Sequence, residues 1–504
     1  MSQGLFIAGD PAPVYLLPGM ANRHGLVAGA TGTGKTVTLR VLAEQFSDAG
    51  VPVFLADIKG DLGGMPLAGE VNDRIARRVE ELGLTDFQTA GFPTVFWDVF
   101  GENGHPVRTT VTEMGPLLLA RLLQLNETQS SVLQVLFKLA DEEGLLLLDL
   151  KDLVALVRHA SANAKELRQR YGSLSTQSLG AIQRGLTAFE AAGGGVFFGE
   201  PALNLSDLLR VAPDGRGYVH ILHAAKLYQS PRIYATVLLW LLAELFEQLP
   251  EQGDLEKPRL VFFFDEAHLL FSDLPKAMRE RVEQIIRLIR SKGVGVFFVT
   301  QSPMDVPDDI LGQLGNRIQH ALRAFTPRDQ KVVRASAQTF RQNADLNVET
   351  ALTELAVGEA IVSLLDANGV PGVAARALIA PPRSRLGASQ PEVIRQALLD
   401  SPVRGVYEVS VDRVSAYEML KQQSESAGME VVVPAPPARR GSVANPRPES
   451  PPARRPSVAN PTKRRSRSDS PGLAMFKSTL RSLGTTLGRE LARGIMGSLS
   501  KGKR

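Results

Sequence analysis

Over most of the chain, short and densely apolar runs alternate with longer stretches in which apolar residues recur every three or four positions. HGLVAGA (24–30), VPVFLAD (51–57), TVFWDVF (94–100), YVHILHA (218–224), RLVFFFDE (259–266), GVGVFFVTQ (293–301) and AIVSLLD (360–366) read as β-strands. Runs such as LVFFF lack the polar alternation of a strand with one wet face, so they suit the interior of a sheet covered on both sides. Strands that alternate with helical patterns predict an α/β fold built on a mostly parallel sheet. From Thr112 to Ala192 the pattern changes. Leu133, Leu136, Phe137 and Ala140 repeat at helical spacing in a stretch rich in Leu, Ala, Gln and Arg, which predicts an inserted helical subdomain.

After Val433 the pattern breaks again. PPARRGSVANP at 436–446 returns as PPARRPSVANP at 451–461, in a segment dominated by Pro, Arg and Ser that buries too little apolar surface to fold alone, so a disordered linker is expected. Beyond it Phe476, Leu480, Leu483, Leu487, Leu491, Ile495 and Leu499 share one helical face, with Lys477, Arg481, Arg489 and Arg493 largely elsewhere around it. Gly484, Gly488, Gly494 and Gly497 each weaken an isolated helix by roughly 1 kcal/mol relative to Ala, so this helix needs a partner surface.

Charge sharpens that division. Residues 434–504 hold 12 Arg and 4 Lys against 3 acidic residues, a net of +13, which leaves −9 on the rest of a chain whose total is +4. A basic tail on an acidic body places any polyanion contact on the tail, and a plain solubilising extension has the same composition. The 504 residues contain no cysteine, which excludes disulfides, Cys-ligated metals and a thiol nucleophile. The start MSQGLFIAGDPAP lacks a basic and apolar secretion signal. The longest apolar stretch, Val237 to Phe246, is broken by Glu244 and falls short of a membrane span, so a cytoplasmic protein is expected.

The strongest chemical signal is Gly29-Ala30-Thr31-Gly32-Thr33-Gly34-Lys35-Thr36, a G-x-x-x-x-G-K-[ST] motif between a strand pattern and a helical one. Its glycines let backbone N–H groups turn toward phosphate without Cβ obstruction, and the following helix N-terminus adds partial positive charge. In such a site Lys35 reaches the β and γ phosphates and Thr36 places its hydroxyl on Mg²⁺. An apolar strand ending in acid completes the site: Asp265 suits Mg²⁺ and Glu266 suits a general base for water. Gln301, at the end of another strand, reads either as a γ-phosphate sensor or as a polar cap on the turn before Ser302-Pro303. Asp57, Lys59 and Asp61 close a further strand on the ligand edge, with no role that chemistry alone assigns. His220 and His223 fall on opposite faces of a strand and make no metal pair, and His268, just after Glu266, has two readings, a contact with the active site and, in preference, a core or cap residue.

GATGTGKTVT, DIKGDL, FFFDEAH and VGVFFVTQSP, followed by LGNRIQHALR, together resemble the HerA/FtsK group of hexameric P-loop motor ATPases, most of all its bacterial HerA-like helicase-domain proteins. LNETQSSVLQVLFKLADEEGLLLLDLKDL at 125–153 is similarly placed in those proteins, and the likeness runs from about residue 5 to 433. The resemblance implies a RecA-like core in two parts, 1–111 and 193–433, around the helical insertion at 112–192, followed by a basic linker at 434–472 and an amphipathic helix at 473–504. It implies ATP and Mg²⁺ as cofactors, with the Gly29–Thr36 loop around the phosphates, Thr36 and Asp265 at the metal, Glu266 and Gln301 at the reacting water, and Arg317 reaching a neighbouring subunit's nucleotide. Arg323 and Arg328 lie close to Arg317. A homo-oligomeric ring, hexameric by resemblance, acting on DNA is the implied assembly. Only 28 residues precede Gly29, too few for the β-barrel of archaeal HerA, which argues against a HerA-type nuclease partner.

Two functions are therefore in competition. One is an ATP-driven DNA translocase or helicase; the other is a nucleotide-driven switch or assembly ATPase acting on protein. A scaffold that uses ATP only structurally has no need of Glu266. For the tail, nucleic acid, an anionic membrane surface and the ATPase body itself are the open partners.

Overall fold

All seven apolar runs pair into one sheet in the computed structural model, which describes residues 4–426 except 10, 173, 254, 272, 273, 389 and the side chain at 277. In chain order the strands are β1 (Leu5–Gly9), β2 (Val14–Leu16), β3 (Gly25–Ala28), β4 (Val53–Asp57), β5 (Thr94–Asp98) and β6 (His105–Pro106). They continue as β7 (Val219–His223), β8 (Leu260–Phe264), β9 (Val294–Thr300), β10 (Asn316–Gln319), β11 (Glu359–Ser363) and β12 (Ala375–Ile379). Across the sheet the order is β2-β1-β12-β11-β10-β3-β9-β8-β4-β7-β5-β6. From β10 to β6 every neighbouring pair is parallel. The other four strands add to β10 in antiparallel fashion.

The parallel half explains the apolar runs. Parallel neighbours need crossover connections that put helices on both faces, and every residue of β8 and β9 is buried. Along β8, Phe262 and Phe264 join the core beneath the helical insertion, while Val261 and Phe263 join the core beneath the helix Lys35–Asp48. A third, smaller core forms under the helices Pro327–Gln338 and Val348–Glu354.

Between β6 and β7 the chain forms the helices Val111–Leu122, Glu127–Glu143, Leu150–Ala162, Ala164–Tyr171 and Thr176–Ala191. Local sequence sets their ends. Asn126 and Gln129 form a reciprocal capping box at the start of Glu127–Glu143, and Gly144, with φ of 65°, ends it in the left-handed region that glycine tolerates. Leu133, Leu136, Phe137 and Ala140 all point into the core.

The last described segment runs back across the molecule. The Glu44 carboxylate accepts the backbone N–H groups of Arg383 and Ser384, which ties this segment to the helix Lys35–Asp48. The helix Ala416–Ser426 packs on Leu150–Ala162, where Asp152 accepts the N–H of Tyr417. Residues after 380 thus bridge the P-loop helix and the helical insertion. Among the described residues no helix is long and apolar enough to cross a membrane. The linker and helix expected at 434–504 lie outside the described residues.

Candidate active site

The parallel strands β3, β9, β8 and β4 are consecutive in the sheet, so their C-terminal ends deliver four loops to one edge. That edge is where open α/β sheets hold ligands. β3 leads into Gly29–Thr36, which turns directly into the helix Lys35–Asp48. Gly29, Gly32 and Gly34 have φ of 151°, 78° and 122°, conformations that side-chain-bearing residues rarely adopt. A Cβ on Gly29 would also lie 2.5 Å from the Cβ of His320. The loop is held by Gly29 N–H on the Thr300 carbonyl, Ala30 N–H on the Ala321 carbonyl, and Gly358 N–H on the Thr33 carbonyl. Lys35 curls over it and donates to the carbonyls of Gly29 (2.6 Å) and Ala30 (3.1 Å). Burial lowers the Lys35 pKa, against the pull of Glu266. Thr36 is half-buried in the first turn of the helix.

β9 lies between β3 and β8, so Gln301 emerges between the P-loop and the acidic pair. Its amide donates to Glu266 Oε2 at 3.4 Å. Lys59, from the loop after β4, reaches Glu266 Oε1 from the other side at 3.4 Å, and His268 Nδ1 lies 3.5 Å from Oε2. Glu266 itself is buried and has φ of 47°, a strained conformation for a residue with a side chain. Asp265 is pushed up to about 7, first by burial and then by the neighbouring Glu266 charge. Beneath the pair the buried Tyr234 hydroxyl donates to the Asp265 carbonyl. Asp57 is turned inward and accepts the N–H groups of Gly60, Asp61 and Leu62, so it shapes the Lys59 loop.

The structure thus brings Gly29–Thr36, Asp265, Glu266, Gln301 and Lys59 to one edge. Arg317 is not among them. It lies within β10 opposite Leu26 of β3, and its guanidinium donates to the carbonyls of Leu314, Thr339 and Leu311. Arg323 and Arg328 are exposed. His220 is buried and accepts the indole N–H of Trp97, and among the described residues no group of three or more His, Asp or Glu side chains is placed to hold a metal ion by itself.

Sequence reasoning passed over His320. Its Nδ1 donates to the Glu359 carbonyl, so its Nε2 accepts the Thr38 hydroxyl, both at 2.8 Å, and it joins the P-loop helix to β11. The signal was present in LGNRIQHALR, where a histidine follows a strand ending on the ligand edge. NRIQ is too short and polar to announce that strand.

Fold and site together define the RecA-like P-loop fold of the HerA/FtsK group. A family model, Helicase HerA-like C-terminal, matches residues 7–504, and the chain belongs to that family. "Probable helicase MJECL08" of Methanocaldococcus jannaschii is 32% identical over 120 residues, which is 23% of this chain and 21% of that protein. The match therefore spans about a fifth of the curated relative. Among solved structures, the plasmid coupling protein TrwB in complex with ADP and Mg²⁺ superposes with a TM-score of 0.50 at 15% identity, covering 78% of this chain and 92% of TrwB. VirB4 of Thermoanaerobacter pseudethanolicus gives 0.46 at 14% identity, covering 78% of this chain and 99% of VirB4. At such identity the TrwB likeness concerns the fold alone.

Proposed function

We propose that this chain binds and hydrolyses ATP with Mg²⁺ at the Gly29–Thr36 edge and uses the cycle to move along or grip DNA. The observation that carries the hydrolytic part is Glu266, a buried carboxylate at the end of β8, separated from the P-loop strand only by β9 and contacted by Gln301. Lys35 neutralises the β and γ oxygens, and Glu266 takes the proton of the attacking water, which Gln301 orients. The donor set fits Mg²⁺, which keeps several waters and needs only one or two protein oxygens besides phosphate. Thr36 and Asp265 would supply them, and a cation there would offset the burial and the Glu266 charge that raise the Asp265 pKa.

DNA as cargo is supported by a groove of about 970 Å³ between the helices Val111–Leu122 and Thr176–Ala191 and the start of Pro231–Gln248. Arg121, Arg184 and Arg232 line it, and none of the described lining residues is acidic. One observation favours the protein-cargo alternative: Phe325 is 86% exposed, an apolar side chain suited to a protein surface. In an oligomer, hexameric by resemblance, Arg317 is the residue that the resemblance suggests for acting on a neighbour's nucleotide. That role requires it to give up three carbonyls of its own chain, whereas Arg323 and Arg328 need no such exchange.

The test is the ATPase rate of the purified protein without nucleic acid and with single strands, duplex and RNA, repeated for Arg184→Glu with Arg232→Glu. Stimulation by DNA that the double variant loses supports the DNA reading. A rate indifferent to every nucleic acid, in low salt, refutes it in favour of protein cargo.

A further inference from the structure

DIKGDL is the one motif of the ligand edge whose cation the hydrolytic scheme leaves without a task. Its loop is fixed at the backbone. Asp57 holds the N–H groups of Gly60, Asp61 and Leu62, Arg40 donates to the Asp61 carbonyl at 2.6 Å, and Gly60 takes φ of 73° to complete the turn. The Lys59 side chain, by contrast, is 48% exposed on a flexible four-carbon stem. It pairs with a carboxylate that is almost wholly buried, at 3.4 Å, longer than the roughly 2.7–2.9 Å of a well-formed charge-assisted bond. Burial works against the Lys59 ammonium, yet Asp265 and Glu266 hold its pKa above the ordinary value, so it stays charged. Lys59 and Lys35 also feel each other's charge, which puts two cations at one acidic pair.

We propose that Lys59 exchanges Glu266 for the terminal phosphate of a nucleoside triphosphate, so that ATP but not ADP frees Glu266 to accept a proton from water. This rests on the nucleotide reading of the site and deepens it. A triphosphate seated on Gly29–Thr36 extends toward Glu266, and the terminal phosphate carries more negative charge than one carboxylate. The loosely held ammonium has the reach and freedom to follow that charge, while its backbone stays fixed by Asp57. Only a ligand with different affinity for the two arrangements can drive such a change. The third phosphate is that difference, and the exchange ties readiness of the base to the presence of substrate.

The experiment titrates the full-length protein with ADP and with a non-hydrolysable ATP analogue, both with Mg²⁺, by calorimetry. Lys59→Met should leave ADP affinity unchanged and weaken the analogue about ten- to a hundredfold, the range of a lost charged hydrogen bond. Lys59→Arg should keep most of the selectivity. Glu266→Gln should tighten the analogue, because Lys59 no longer leaves a charged partner, and this gain should shrink in the Lys59→Met background. Equal effects of Lys59→Met on both nucleotides, no effect on either, or simple additivity with Glu266→Gln would each overturn the exchange. If the unmodified protein binds neither nucleotide, the nucleotide reading falls and the exchange falls with it. Loss of both nucleotides in Lys35→Ala but of the analogue alone in Lys59→Met separates the two claims.

Discussion

Replacing His320 tests how the P-loop is braced. The ring is fully buried, donates to the Glu359 carbonyl, accepts the Thr38 hydroxyl and packs where a Gly29 side chain would sit. His320→Ala leaves one buried carbonyl and one buried hydroxyl without these partners, at about 1–3 kcal/mol each. Together they cost about 2–6 kcal/mol, a large part of the roughly 5–15 kcal/mol that holds a domain folded. His320→Gln can offer an oxygen to Thr38, and His320→Asn an N–H to Glu359, so each should lose less than Ala. The imidazole adds a pH signature. Burial first, then the Lys35 charge, lower its pKa to about 4 from the unfolded value of 6.5, against the favourable bond to the Glu359 carbonyl. A base whose folded pKa is depressed contributes stability that is complete above the unfolded pKa and is lost as pH falls toward the folded one. At pH 5.5 the unfolded histidine is mostly protonated and the folded one is not, which costs about 1.4 kcal/mol. Glutamine does not titrate. The stability gap between the unmodified protein and His320→Gln, measured from urea midpoints and slopes, should therefore narrow by about 1.3 kcal/mol between pH 7.5 and 5.5. A gap that is constant with pH, or a loss below about 1 kcal/mol in His320→Ala, would refute the bracing role.

The parallel half of the fold was legible because both faces of those strands are buried, which forces unbroken apolar runs such as LVFFF and VFFV. Of the antiparallel half only β11, read in AIVSLLD, was. β1, β2 and β12 form an edge with few residues each, and NRIQ becomes a strand only because β3 and β11 flank it. The same logic divides the site. Gly29–Thr36, Asp265 and Glu266 could be read because each stands at the end of a recognisable strand. Lys59 and Glu266, however, lie 207 positions apart, and no periodicity in either segment encodes their contact. The three carbonyls that hold Arg317 come from the chain before β10 and from the helix end near Thr339. Backbone acceptors leave no trace in side-chain pattern, so the commitment of that guanidinium to its own chain was invisible. Glu266 illustrates a further limit: a positive φ at a glutamate is imposed by the turn around it and is opposite to its local preference.

Lys35→Ala should abolish nucleotide binding and hydrolysis together, while Glu266→Gln should bind ATP and turn over about 10²–10⁴ times more slowly; equal loss of binding in both would contradict the division of labour. Arg317→Ala should lower the urea midpoint, since its loss frees the carbonyls of Leu314, Thr339 and Leu311. If Arg317 also acts on a neighbour's nucleotide, co-assembly of Arg317→Ala with Lys35→Ala subunits should restore activity, and a mixture that stays inactive would assign Arg317 to the fold alone. Truncation after Val433 separates the +13 tail from a body in which the described residues 4–426 build three cores. The body should stay folded, because the described residues already supply a twelve-stranded sheet with both faces covered. If the tail meets nucleic acid, the affinity it supplies should be the steeply salt-dependent part, since each neutralised phosphate adds about 0.9 to the log–log slope. With about six contacts the slope should fall by about five on truncation. If the partner is an anionic membrane, liposomes should compete with DNA for the full chain, and the stripe from Phe476 to Leu499 should become helical on them. A lower melting temperature with both binding assays unchanged would instead place the stripe against the ATPase body and end the case for a separate anchor.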